Sequence, residues 1–188
     1  MMKKIIFVTG NKGKASEFKQ ILKIPVVIKE ADIDEVQSMD LEYVSKRKTE
    51  QAFRIFKSPL ITDDVGVFID AWQGFPGPFA KFILSTLGNK RILEILKDEE
   101  NRKVTVKSAI SYHDGEEIRT FIGEVRGTLS YEEKGNEGWG FDPIIIPEGY
   151  EKTFAQMGLG NKNKISHRRK ALDKLKEFLD SKNKEKEI

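Results

Sequence analysis

Acids and lysines in this chain fall where they could hold a metal ion and a phosphate. Asp63-Asp64 follows the apolar run Leu60-Ile61-Thr62, and Glu35 ends the acidic segment Ala31 to Glu35. Carboxylates emerging at strand ends are the usual way to hold Mg2+, which takes oxygen donors and keeps positions open for substrate phosphates. Thr9-Gly10-Asn11-Lys12-Gly13-Lys14 joins a strand-like run to a helix-like one. Such a loop can turn its amides outward, and the next helix points its positive end the same way, so together they favour an anion. Lys14 at a helix start opposes the helix dipole, which a bound anion would explain, with Lys12 adding charge. The loop lacks the Ser or Thr that follows the lysine in G-x-x-x-x-G-K-[ST], so a metal must be carried elsewhere, with Glu35 and the pair Asp63-Asp64 as the candidate carboxylates. An ordinary turn with solvated lysines accounts for the loop equally well, and solvated turn acids are the commoner account of one acid pair. An anion site and a carboxylate site in one small domain are nevertheless what a metal–phosphate substrate requires.

Two later segments add a flat surface and further positive charge. In Gly138-Trp139-Gly140-Phe141-Asp142-Pro143, the flanking glycines leave the Trp139 face open, which suits stacking on a planar base. Asp142 can accept a hydrogen bond from a ring N–H or a sugar hydroxyl. Taken alone, a core tryptophan in a loop is the plainer reading. In the segment from Lys162 to Lys170, Ser166 is a candidate N-cap that places His167 and Arg168 in a first helical turn. Solvation explains Arg169 and Lys170 well. For Lys162, His167 and Arg168 a nearby anion or polar ligand is the better explanation.

The elements that must carry these groups follow from periodicity and punctuation. Lys4 to Thr9 predicts a buried strand, and Lys14 to Leu22 a helix with Ala15, Phe18, Ile21 and Leu22 on one face, closed by Pro25. Val26-Val27-Ile28 is a second short strand. Asp40 caps a long helix that Ser58-Pro59 ends. Leu60-Ile61-Thr62 and Val65 to Ala71 read as strands with the acid pair between them, at a sheet terminus. Gly74 to Pro78 is a rigid turn, followed by two short helical patterns up to about Lys97. Residues 103 to 126 predict a hairpin turning at His113-Asp114-Gly115. Ser166 to Leu179 is a basic amphipathic helix, and 181–188 is expected to be a flexible charged tail.

The 188 residues fit one domain, 1–188, with a sizeable core. No run is long enough to span a membrane, and no signal-peptide pattern opens the chain. The absence of cysteine excludes disulfides and thiolate metal sites, and fits a cytoplasmic protein. Charged residues make up 34%, a weak resemblance to heat-adapted proteins. A net charge of +3 is too small to imply a nucleic-acid binder.

With these segments in place, the chain resembles the Ham1 family, the inosine/xanthosine triphosphate pyrophosphatases. "TGNKGKASE" at 9–17, "DDVGVFIDAWQGFPGP" at 63–78, "GWGFDPI" at 138–144 and "KNKISHR" at 162–168 match in order across nearly the whole chain. The resemblance implies an α/β fold with an elongated central mixed sheet flanked by helices, in two lobes with the active-site cleft between them. It implies hydrolysis of non-standard purine nucleoside triphosphates (ITP, dITP, XTP) to the monophosphate and pyrophosphate, with Mg2+, by a homodimer. Thr9 through Lys14 match the triphosphate cradle, Glu35 the metal-binding glutamate, and Asp64 the acid that is both metal ligand and proton acceptor. Trp139 matches the base-stacking aromatic, with Gly140, Phe141 and Asp142 completing the pocket and Lys162, His167 and Arg168 the remaining substrate contacts. Val65 stands where Ser or Thr is usual, leaving only its amide to contact phosphate. Gln156 stands where Glu is usual.

The expected reaction is attack on the α-phosphorus by a water that Asp64, or Asp63 beside it, orients or deprotonates. Donors facing the 6-oxo edge of inosine or xanthosine would clash with the 6-amino group of adenine. That argument does not exclude GTP. The rival readings are a pyrophosphatase of standard or pyrimidine nucleotides, and a non-enzymatic nucleic-acid binder built on the basic final helix and Trp139. The acids around Glu35 and Asp63 oppose the latter by repelling a phosphate backbone.

Overall fold

A computed structural model describes residues 5–22 and 25–185. The first strand, β1, is Ile5–Val8, and every one of its residues is buried. Lys4, expected to begin it, lies outside the described residues. Helix α1, Lys12–Leu22, begins earlier than the periodicity suggested. Asn11 causes this: its side-chain oxygen accepts from the Lys14 amide at 3.0 Å, an N-terminal cap that draws Lys12 and Gly13 into the first turn. Helix α1 buries Phe18, whose ring stacks on Phe7 at 3.8 Å between centroids. Strand β2, Val26–Lys29, pairs parallel to β1.

Helix α2, Leu41–Phe56, is capped by Asp40 as expected, and ends with Lys57 in the left-handed region at φ 46. Strand β3 then runs unbroken over Leu60–Ile69. The acid pair is therefore in mid-strand, not at a sheet terminus between two strands. Apolar periodicity missed this because two acids interrupt the run while the backbone ladder continues: Asp63 and Asp64 pair with Ile110 and Ala109. A short 3-10 turn and the two-residue strand β4, Pro76–Gly77, follow. Helix α3, Ala80–Ile95, is kinked at Gly88, which matches the expectation of two short helical patterns.

The hairpin is β5, Lys103–His113, and β6, Ile118–Leu129, longer than its apolar pattern implied. Strand β7, Ile145–Pro147, and the short helices α4, Phe154–Met157, and α5, Leu159–Ile165, complete the far end. Gln156 caps α4 reciprocally with Thr153, a local structural role. Helix α6, His167–Glu185, continues past Leu179 through residues expected to form a tail, and 186–188 lie outside the described residues.

The sheet has seven strands in the order β2-β1-β3-β5-β6-β7, with β4 against β3. It is mixed, with helices on its faces, as expected. One apolar cluster, containing Val67, Ile92, Val104, Phe141 and Phe154, fills one end. Two others cover opposite faces of the other end, one under α1 and α6 with Phe7, Ile61 and Leu172, one under α2 with Ile6, Ala52 and Leu60. No helix among the described residues is long and apolar enough to cross a membrane.

The edge of β3 opposite β5 is paired in two places only. Leu60 and Ile61 face β1, and Val67 and Phe68 face β4. Thr62 to Gly66 lies between, with no strand partner on that side among the described residues.

Candidate active site

The open stretch of β3 forms the floor of a cleft of about 670 Å3 between the two ends of the sheet. Side chains alternate along a strand, so Asp63 and Asp64 leave it on opposite faces. Asp63 turns to the α1/α6 face and is fully enclosed. Its carboxylate accepts from Ser108 Oγ at 2.5 Å and from Arg168 Nε at 2.9 Å, and lies 3.3 Å from Lys14 Nζ. Burial pushes the Asp63 carboxyl up, but the Arg168 and Lys14 cations outweigh it and hold it far below the usual carboxylate range. Lys14 also donates to the Asp63 backbone carbonyl at 2.5 Å, capping part of the unpaired strand edge.

Asp64 turns to the α2 face. Its Oδ1 accepts from Lys48 Nζ at 2.9 Å, and the same ammonium donates to Glu35 Oε1 at 2.8 Å. Asp64 Oδ2 is buried and has no hydrogen-bond partner among the described residues. Burial lowers Lys48, but Asp64 and Glu35 more than reverse this and keep it firmly protonated. Glu35 and Asp64 thus converge on one cation. Two carboxylates meeting on a small positive charge, with one oxygen to spare, fit Mg2+, which takes few protein ligands and completes its shell with water and phosphate. Among the described residues there is no group of three or more potential ligands, so a tighter all-protein cage is not built here.

The opposite wall holds the tryptophan segment. Trp139 is half-buried rather than open-faced. Its Nε1 donates to Glu17 Oε1 at 3.2 Å, and its indole rests on Gly13, where a Cβ would come within 2.7 Å of Nε1. Lys162 Nζ and the Arg168 guanidinium lie 5.3 and 5.4 Å from the ring centroid. Asp142 is held through one oxygen: Oδ2 accepts from Lys162 Nζ at 2.7 Å and from the Trp139 amide at 2.8 Å, while Oδ1 has no hydrogen-bond partner among the described residues. Burial raises its carboxyl despite Lys162.

Glu17 joins these parts. It is 2% exposed and accepts from Trp139, from Lys162 at 3.0 Å and from Arg168. The cations at 162 and 168 therefore have carboxylate partners within the protein, and a bound anion is not needed to explain them. Ser166 caps α6 as expected, its hydroxyl accepting from the Arg169 amide at 3.1 Å. Two polar nitrogens at this helix start remain open: Arg168 Nη2, a donor, and His167 Nδ1 are buried without partners among the described residues. Burial, with Arg168 and Lys162 nearby, holds His167 well below its usual range, so the imidazole is neutral.

Thr9, Gly10, Asn11, Lys14, Glu35, Asp63, Asp64, Val65 and the 139–142 segment line the cleft together with Lys162, His167 and Arg168. Lys12 and Gly13, expected in the same cradle, are not part of the lining; Gly13 instead packs beneath Trp139.

This arrangement has counterparts. The Ham1 family model matches residues 5–178. The chain belongs to the Ham1 family. It is 45% identical to the dITP/XTP pyrophosphatase of Saccharolobus solfataricus, covering 95% of this chain and 94% of that protein. It is 43% identical to the dITP/XTP pyrophosphatase of Methanopyrus kandleri, over 93% and 95% of the two chains. Among solved structures, the Ham1 protein of Staphylococcus aureus superposes with a TM-score of 0.84 at 27% identity, over 96% of this chain and all of that one.

Two residues that hold the Ham1-type cleft together, Lys48 in its lining and Glu17 behind its wall, escaped the reading of the sequence. Lys48 lies in α2 at fourfold spacing from Val44 and Ala52, both buried, so a lysine on the inward face of an amphipathic helix was the available signal. Glu17 sits within the quoted motif, one turn after Lys14, but nothing in its own neighbourhood announces burial.

Proposed function

We propose that this protein hydrolyses non-standard purine nucleoside triphosphates (dITP, ITP and XTP) to the monophosphate and pyrophosphate. The observation that carries the proposal is Asp64 Oδ2, buried, unpartnered and set in the cleft floor between the helix-capped turn at Thr9–Lys14 and the Trp139–Arg168 wall. The names of the Saccharolobus and Methanopyrus relatives support the substrate class.

In this mechanism the triphosphate lies along the turn at Thr9, Gly10 and Asn11, with Lys14 beside it and the amide of Val65 as a donor. Glu35 and Asp64 would hold Mg2+, which supplies charge neutralisation for the phosphate oxygens. Asp64 Oδ2 orients a water and takes its proton as the water oxygen attacks the α-phosphorus. The bond from that phosphorus to the bridging oxygen breaks, and pyrophosphate leaves. Asp63 does not compete for this role, because Ser108, Arg168 and Lys14 occupy its oxygens. Trp139, Gly140, Phe141 and Asp142 form the side of the base pocket, and Lys162 holds Asp142 in place. His167 and Arg168 Nη2 face the base, where a buried donor without a partner favours a 6-oxo acceptor over a 6-amino group.

A cytoplasmic homodimer with no role on nucleic acid or membranes completes the reading. Phe82, Leu87 and Ile95 are exposed apolar side chains on α3 that a second copy would cover. Light scattering behind size exclusion tests that part. A panel of nucleoside triphosphates with Mg2+, scored for monophosphate against diphosphate, tests the activity. Monophosphate and pyrophosphate from ITP and XTP, with ATP far poorer, is the expected result. Release of single phosphate, or equal specificity constants for ATP and ITP, would overturn it.

A further inference from the structure

Among the described residues, Lys48 is the one cation of the cleft whose two carboxylate partners, Glu35 and Asp64, are both proposed metal ligands. Its ammonium reaches them from α2 at 2.8 and 2.9 Å, while its side chain is only 18% exposed. Asp64 Oδ1 is thereby used and Oδ2 is left bare. The other acids near the cleft are balanced differently: Asp63 by Arg168 and Lys14, Asp142 by Lys162, Glu17 by Lys162 and Arg168. None of those cations touches Glu35 or Asp64. Two carboxylates brought together in a half-buried cleft repel unless a cation lies between them. In the metal-free protein that cation is Lys48.

We infer that Lys48 is a resident place-holder for the metal: its ammonium bridges Glu35 and Asp64 when no metal is bound, and must swing away before one enters. This rests on the assignment of Glu35 and Asp64 as the metal site. The Glu35–Lys48–Asp64 bridge keeps the two acids facing one point without metal. It also opposes metal binding, because an entering ion must break two charge-assisted hydrogen bonds. A metal arriving with a polyphosphate meets less opposition, since the phosphate oxygens offer the displaced ammonium a new anionic partner. Metal affinity is therefore low in the free protein and rises with the substrate, a coupling that α2 builds in.

The test uses Mn2+ binding to the full-length protein without nucleotide, followed by electron paramagnetic resonance, in wild type, Lys48→Met, Lys48→Gln, Asp64→Asn and Lys81→Met. Asp64→Asn examines the site itself. If it binds Mn2+ as wild type does, the metal assignment fails and the inference with it. If Asp64→Asn weakens binding as expected, the Lys48 variants decide. Both should bind Mn2+ about ten-fold tighter or more than wild type, because no ammonium has to be expelled. Unchanged or weaker binding in both would overturn the place-holder while leaving the metal site intact. Lys81→Met removes an exposed cation that acts on Glu35 only through space. Tightening there equal to that of Lys48→Met would show a general field and also overturn the inference. Thermal unfolding supplies a second readout. The Lys48 variants should melt lower in chelator and recover with Mn2+ by a larger margin than wild type gains, and equal margins would count against the exchange.

Discussion

Asp63 and Asp64 are adjacent in the chain and serve opposite faces of the sheet, one locked to Arg168 and the other joined to Lys48. The alternation of a strand divides a single acid pair between structure and chemistry. Asp64→Asn should remain folded, within about 1 kcal/mol of wild type, yet lose turnover by about a hundred-fold or more. Asp63→Asn should instead lose about 3–5 kcal/mol of stability by leaving Arg168 with a broken buried pair. Guanidinium unfolding and pyrophosphate release, measured on both variants, distinguish these outcomes. A stable, inactive Asp63→Asn beside an active Asp64→Asn would reverse the roles.

Glu17→Gln removes the charge shared by Lys162 and Arg168. We expect a loss of about 3 kcal/mol in unfolding free energy, because both cations stay buried with less compensation. Trp139 also loses its charged acceptor, so its fluorescence should shift in the native state. Since Glu17 supports the base wall and touches no phosphate site, KM for ITP should rise more than kcat falls. A fall in kcat alone would place Glu17 in the chemical step.

Stability should decline with acid in two stages. His167 is held below its ordinary 6.5, so the unfolded chain gains a proton that the folded chain refuses. Stability is therefore present in full above about 6.5 and falls as pH drops toward the folded value, by up to about 1.4 kcal/mol per pH unit. Glu17 and Asp63 are also depressed in the folded state, from 4.5 and 3.8. Their contribution holds above those values and is lost as pH falls further. Urea midpoints at pH 7.5, 5.5 and 3.5 should step downward twice, and His167→Gln should flatten the first step only.

Gly123 lies in β6 where α6 crosses it. A Cβ there would collide with the His167 carbonyl oxygen and the Ala171 amide. Gly123→Ala should cost about 1–3 kcal/mol and also impair activity, because the displaced turn carries His167 and Arg168. Gly160, around which there is open space, provides the contrast. Gly160→Ala should be neutral or slightly stabilising in α5, by about 1 kcal/mol at most. Comparable losses in both would mean that the crossing is not tight.

Much of this was legible in the chain. Alternating and fourfold apolar spacing located β1, β2, α2, the hairpin and α6, and Asp40 and Ser166 marked their helix starts correctly. What escaped was whatever depends on a partner distant in sequence. The continuity of β3 through Asp63 and Asp64 comes from its ladder to β5, and no local pattern encodes that ladder. Glu17 is buried by residues more than a hundred positions away, and Lys48 is aimed by helix phase at an acid on another element. Local propensity also favoured an open Trp139, which the approach of Gly13 closes from below.

The unpaired stretch of β3 has a further consequence, for solubility. Free backbone groups along a strand are where another chain can add and start an aggregate. Here β1 and β4 block the stretch at both ends, and Lys14 covers the Asp63 carbonyl from the side. The unpaired stretch is thus short, closed at both ends and largely buried, which leaves little edge for an intruding strand. Replacing Lys14 would unguard that edge in the same stroke as it removes the proposed phosphate contact.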